Sequence, residues 1–294
     1  MRRYKRAIVS LVLAACCVSC GGRRADVVTD VRDDVKYLNL RGNELYYRGD
    51  YEAAACMYDR ARIRAASVDD RAGVAESVNN TGQLYLLAGD LSAAEEQFSR
   101  ALAMNGEIGN SLGRAANLVN LGYVALDRGR AAEGEGMFDE ALAICRSETD
   151  RLCEAEAQNG KGRALAAQGE TARAEGLFLA ALATARERMR HRLAATSLCN
   201  LGELMESRGD LSAALGYYTR ALERDRMIEY SLGIASDLKS MGRVLTVQGD
   251  AARARDVLSR SHTIYTELGI RKGIEETEEM MKTVIGDRGR AHDH

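Results

Sequence analysis

The chain has 294 residues, of which 28 are Gly and none is Pro or Trp, and 46% are apolar. At ordinary usage a chain of this length carries about 15 prolines. Their absence, with Ala, Leu, Arg and Glu abundant, predicts a nearly all-helical protein whose turns are made by Gly. The formal net charge is −2, and no basic stripe interleaved with aromatics stands out, which argues against a nucleic-acid partner.

In chain order, residues 1–6 (MRRYKR) carry four positive charges and no acid, and 7–15 are almost wholly apolar. A basic segment followed by a short apolar one is the layout of an export signal; no apolar run reaches the roughly 18 residues that span a bilayer. Leu13, Ala14, Ala15 and Cys16 follow. This run resembles the lipobox of bacterial lipoproteins, in which small residues fit the signal peptidase and the Cys thiol receives a diacylglycerol. Cys16 is the expected lipidated residue. Cys20 is the alternative, but lacks a Leu three positions earlier. An ordinary cleavable signal is a second reading of the segment, whereas a zinc site lacks its usual fourth ligand beside Cys16, Cys17 and Cys20. The resemblance divides the chain into a signal peptide at 1–15 and a lipidated tether at 16–34. Two or more acyl chains would hold it to a membrane without a spanning helix.

From there a forty-residue beat runs through the sequence. Gly42, Gly82, Gly122, Gly162, Gly202 and Gly242 are evenly spaced, and each is followed seven residues later by Gly49, Gly89, Gly129, Gly169, Gly209 and Gly249. Each pair predicts a helical hairpin. The first Gly lies inside a helix, where it costs about 1 kcal/mol relative to Ala, a cost offset if a neighbouring helix packs closely. The second ends that helix, and the residue after it, often Asp, caps the next. In the second helix a small residue (Ala54, Ala94, Ala174, Ala214, Ala254), an aromatic (Tyr58, Phe98, Phe138, Phe178, Tyr218) and another Ala (Ala61, Ala101, Ala141, Ala181, Ala221) share one face.

This register resembles the tetratricopeptide repeat, in six consecutive units. Its period of 40 rather than 34 and the missing closing Pro point to the longer-repeat variants of that superfamily. HEAT-type repeats share the length but do not require the Gly and Ala register. The implied fold is all-α: a right-handed superhelical solenoid of six hairpins over 35–268. A charged capping helix at 269–286, rich in Glu275, Glu276, Glu278 and Glu279, and a disordered tail at 287–294 complete the chain.

Such solenoids bind segments of other proteins on a concave face lined by first helices. In the resembling peptide-binding relatives, Asn two residues before the first-helix Gly bonds to ligand backbone; here that row holds Asn80, Asn120 and Asn200, interrupted by Leu40, Gly160 and Ser240. An amide both donates and accepts, as a peptide unit does, and three such contacts would contribute roughly 1.5–4.5 kcal/mol. The competing reading is that these amides bond between neighbouring helices. A second row, Asn43, Gln83, Tyr123, Arg163, Glu203 and Arg243, is expected either to face the groove or to form a solvated face. The chaperone-tail clamp of some tetratricopeptide domains needs cations that are missing here, since the matching places hold Asn39, Asn80, Ala116 and Asn120.

Cys145 and Cys153 flank a turn between units three and four, a spacing compatible with a disulfide or with two free thiols. His191 and His262 have no neighbouring catalytic pattern, so no enzyme activity, metal or cofactor is expected. The function these features imply is a membrane-anchored adaptor holding a protein or peptide of the bacterial cell envelope, most naturally facing the periplasm. A transporter accessory forming a solute chamber or oligomeric hub, and a surface adhesin, are the alternatives.

Overall fold

The computed structural model describes residues 31–290, with side chains through Val284. The signal segment, Cys16, Cys20 and residues 291–294 lie outside the described residues. Thirteen helices and no strand occur among those described: α1 (Val31–Arg48), α2 (Tyr51–Ala66), α3 (Arg71–Leu87), α4 (Leu91–Glu107), α5 (Ser111–Asp127), α6 (Ala131–Ser147), α7 (Arg151–Ala167), α8 (Thr171–Glu187), α9 (His191–Ser207), α10 (Leu211–Met227), α11 (Ser231–Val247), α12 (Ala251–Glu267) and α13 (Arg271–Arg290). Each helix packs mainly on its sequence neighbours, and odd-numbered helices touch one another along the inner wall. This is a tetratricopeptide-like solenoid of six hairpins closed by α13. No helix among the described residues is long and apolar enough to cross a membrane.

The first helix starts at Val31, four residues before the expected start of the repeats, with Asp33 and Asp34 in its first turn where the helix dipole favours acids. The terminal helix runs to Arg290, beyond the expected end at 286. It buries Gly273, Thr277 and Val284 against unit six and turns Glu275, Glu278 and Glu279 to solvent. That is how a repeat array ends without presenting an apolar face.

The glycine register has a steric cause. A Cβ at Gly82 would lie 2.6 Å from the Phe98 ring, so the ring of the second helix sits where a first-helix side chain would be. Tyr58, Phe98, Phe138, Phe178 and Tyr218 are at most 1% exposed, and the flanking alanines are sealed beneath them. Burying rings of this size is worth about 3–5 kcal/mol each by truncation. Unit six uses Leu258 instead, against Gly242.

The backbone repeats on a shorter beat than the glycines. Positive φ recurs every twenty residues, at Gly49, Gly89, Gly129, Gly169, Gly209 and Gly249 within hairpins and at Asp69, Gly109, Thr149, Met189, Glu229 and Gly269 between them. Both turns share one geometry. Aspartates cap the second helices from 50, 90, 210 and 250, and Asp70, Asn110 and Asp150 cap first helices in the same way, each accepting from backbone N–H groups of the first turn.

Candidate functional site

The concave wall is built by the first helices α1, α3, α5, α7, α9 and α11, placed side by side by the ring-to-glycine packing beneath them. The asparagine row lies on it, but with its amides turned inward. Asn120 Nδ2 donates to Asn79 Oδ1 at 2.8 Å, Asn200 Nδ2 to Asn159 Oδ1 at 3.3 Å, and Asn80 Nδ2 reaches Asn39 Oδ1 at 3.5 Å. The same acceptors take bonds from Asn117 at 2.8 Å, from the Ser77 hydroxyl at 3.2 Å and, at Asn159, Nδ2 donates to Ser197 at 2.9 Å. Asn80 and Asn200 are only 6% exposed. The row thus ties adjacent first helices together, each amide committing one of its two N–H groups to the neighbouring helix.

The acceptors are Asn39, Asn79 and Asn159, of which the sequence analysis names only Asn39, and for a different role. They repeat at the same spacing, one position before the chosen row, and that periodicity was the available signal. The interruption at Gly160 is also explained, because the Phe138 ring lies where a Cβ would project. Val119 and Ala157 replace the polar pair at that junction and both are buried. Aromatic packing takes the place of hydrogen bonding there.

The second row divides into committed and open positions. Asn43 Oδ1 accepts from the Tyr58 hydroxyl at 2.8 Å. Arg243 is held bidentate by Glu206 at 2.6 and 2.9 Å, and Tyr218 donates to the same carboxylate at 2.9 Å. Tyr123 meets Phe138 edge-on at 5.3 Å and carries the Arg163 guanidinium over its face, also at 5.3 Å. Burial pushes its hydroxyl above the ordinary tyrosine range. Glu203 and Arg163 are exposed and Gln83 half-buried.

Two contacts across the superhelix reshape this wall. Tyr47 at the end of α1 packs edge-on against Tyr230, which precedes α11, with ring centroids 5.6 Å apart. The Arg192 guanidinium of α9 lies 5.5 Å over the Tyr47 ring and 3.5 Å from the Glu156 carboxylate of α7. The Leu268 side chain lies against Gly49. Unit one therefore touches units five and six, and the groove is closed on itself rather than open along its length. Beside it, a cavity of about 370 Å³ opens between α1, α3 and α5, walled by Arg32, Lys36, Glu76, Asn79 and Asn110.

Two cysteine features stand apart from the groove. Cys145 and Cys153 are joined by a disulfide across the turn between units three and four, with Cα atoms 5.5 Å apart. Cys199 donates its thiol to Asp237 Oδ1 at 2.7 Å. Asp237 and Asp225 are at most 4% exposed, and each has one carboxyl oxygen without a partner. Burial raises them to about 8 and about 7. No group of three or more metal-ligating side chains occurs among the described residues.

A comparison with curated proteins returned no match. Among solved structures, a Rap protein complexed with competence and sporulation factor superposes with a TM-score of 0.62 at 14% identity, over 89% of this chain and 78% of that one. The Rap conjugation gene regulator of plasmid pLS20, in complex with the Phr* peptide, gives 0.61 at 15% identity over 96% and 84%. BtubC (BKLC) from P. vanneervenii gives 0.52 at 18% identity over 82% and 93%. At these identities the likeness is one of fold. The tetratricopeptide-repeat sequence profile matches residues 35–106 and 113–187, and a second profile of the same description matches 160–226. With half of its residues under the first profile alone, and the glycine register in place through six hairpins with a ring packed on it in five, the chain belongs to the tetratricopeptide-repeat family.

Proposed function

We propose that this chain is a lipid-anchored scaffold of the bacterial cell envelope that holds a protein or peptide partner within the concave face of its solenoid, and that it is not an enzyme. The observation that carries the reading is the convergence of side chains from five units on one enclosed wall: Tyr47, Tyr123, Glu156 and Arg192 from first helices, and Tyr230 from the turn before α11. Such a wall offers aromatic surface and charge together, the pairing enriched at the centres of protein interfaces. The Rap structures carry a bound factor or peptide on the same architecture, which supports the choice of partner class. Anchoring rests on the run ending at Cys16, and the Cys145–Cys153 disulfide accords with an oxidising compartment.

Two measurements test this. Metabolic labelling with palmitate should mark the wild-type chain and be abolished in Cys16→Ser; label retained in that variant would move the anchor to Cys20 or remove it. Crosslinking in intact cells should capture a partner with wild type that is lost in a folded Gln83→Ala, Glu203→Ala variant. These two side chains are chosen because neither takes part in the asparagine ladder, so their removal leaves the solenoid intact. A partner captured equally by both proteins would place binding on the convex face.

A further inference from the structure

We infer that the unit-one end of the solenoid seats on the lipid surface to which the chain is anchored, with Tyr37 and Leu40 of α1 entering the headgroup layer. The inference rests on the lipid-anchor reading above and adds an orientation to it, with unit one toward the bilayer and α13 away from it. The first observation is one of register. In each later unit the residue equivalent to Tyr37 is buried where that unit meets the one before it: Ser77, Asn117, Ala157, Ser197, Asp237 and Thr277. The row equivalent to Leu40 carries the junction amides Asn80, Asn120 and Asn200. Unit one instead sets Tyr37 and Leu40 at these two places, and they are 65% and 63% exposed. The array thus begins with a junction face whose centre is apolar. It ends differently, since α13 turns Glu275, Glu278 and Glu279 outward.

The second observation is where the anchor attaches. Val31, the first residue of α1, lies fifteen residues after Cys16, and a chain of that length spans at most ~50 Å. A lipid on Cys16 therefore holds the start of α1 within that distance of the bilayer. A tethered surface needs little contact area, because the anchor supplies the effective concentration. Tyrosine suits the headgroup layer, having an apolar ring and a polar tip. The acids beside the patch carry their own counterions: Asp33 is paired with Lys36 at 3.6 Å and Glu44 with Arg41 at 2.6 Å. An anionic bilayer thus meets no bare negative charge on this face. The same pattern disfavours a second copy. An antiparallel two-fold pairing of α1 that sets Tyr37 on the partner's Leu40 also brings Asp33 toward Glu44 and Lys36 toward Arg41, like charges opposite. Two apolar side chains also fall well short of the about 800 Å² per partner that a stable protein interface buries.

The chain has no Trp, so a single introduced one reports its own surroundings. The Leu40→Trp chain, expressed in full and purified from membranes, would be placed in vesicles of phosphatidylethanolamine and phosphatidylglycerol, with and without brominated acyl chains. Leu179→Trp, at an exposed position of α8 in unit four, is the control. Brominated lipid should quench Leu40→Trp emission about twofold or more and leave Leu179→Trp unchanged. Adding Tyr37→Asp, which sets a charge in the patch, should remove most of that quenching. Circular dichroism of each variant reports the fold. Absence of quenching in a Leu40→Trp chain that is palmitate-labelled and vesicle-bound would overturn the inference and leave the anchor standing. Loss of both label and vesicle binding would overturn the two together. Absence of quenching with a Tyr37→Cys chain that crosslinks to itself through that thiol would put a second copy on the face instead.

Discussion

The junction between units two and three and the junction between units five and six occupy the same place in successive turns of one fold, yet they are built from different chemistry. In the first, Asn110 donates to Asn105, Asn105 to Asn117, and Asn117 to Asn79, each at 2.8 Å. In the second, Asp225 stands where Asn105 would be, Asp237 where Asn117 would be, and Cys199 in place of Asn79. An amide carries both donor and acceptor, so a row of amides can satisfy itself without titrating. Two buried carboxyls and a thiol leave one oxygen of each carboxyl without a partner, and burial lifts both acids far above the usual range. A third junction makes the point sharper: Cys145 takes the Asn105 position between units three and four, where the ladder is missing, and a covalent bond to Cys153 spans the gap. At these three junctions the residue near the end of the second helix takes part in joining consecutive units.

The largest effect should come from breaking the amide row. Asn117→Leu leaves the Asn105 donor stranded in an interior site and takes away one of the two bonds to Asn79 Oδ1, and is expected to cost about 3–4 kcal/mol, read as a lower denaturant midpoint. The second experiment converts one junction into the other. Asp225→Asn with Asp237→Asn restores amides at both acidic positions. An acid whose folded-state pKa is raised weakens the native state as pH climbs from its unfolded value, near 4, to its folded value. Stability should therefore fall between about pH 4 and the folded values of about 7 and about 8 in the wild type. The double variant should gain on the order of 3 kcal/mol at pH 8 and nothing at pH 4, as thermal melts across that range would show; an equal gain at both ends would remove protonation as the cause.

Reduction of the disulfide, or Cys145→Ser, should cost about 2–3 kcal/mol by the loop-closure estimate for so short a ring. Protection of units three and four in hydrogen exchange should fall first, because no side-chain ladder supports that junction. The smallest effect concerns the turns. Thr149 holds φ 55° with a β-branched side chain, a conformation that costs about 1 kcal/mol or more. Thr149→Gly, which matches the residue at the equivalent Gly109, should raise the melting temperature by about 2–4 °C.

Much of the solenoid was legible in the residues because its signals are local. The Gly82 and Phe98 pairing, the aspartate caps and the Ala faces each act within one hairpin, and six copies make the register plain. The candidate site was less so. Asn80, Asn120 and Asn200 were recognisable as an inner-wall row, but not the direction in which their amides point, since that depends on Asn39, Asn79 and Asn159 forty-one residues earlier. Arg192 and Tyr230 carried no periodic mark at all: their rows hold different residues in other units.

By itself, the sequence determined the helices, their pairing into hairpins and the end of the array at α13, because helix propensity, capping and ring-to-glycine packing operate over fewer than forty residues. Only the tertiary structure decided that Tyr47 meets Tyr230 and that the wall is enclosed. Those follow from a small rotation between successive units that accumulates over a full turn, and no single repeat encodes where the turn closes.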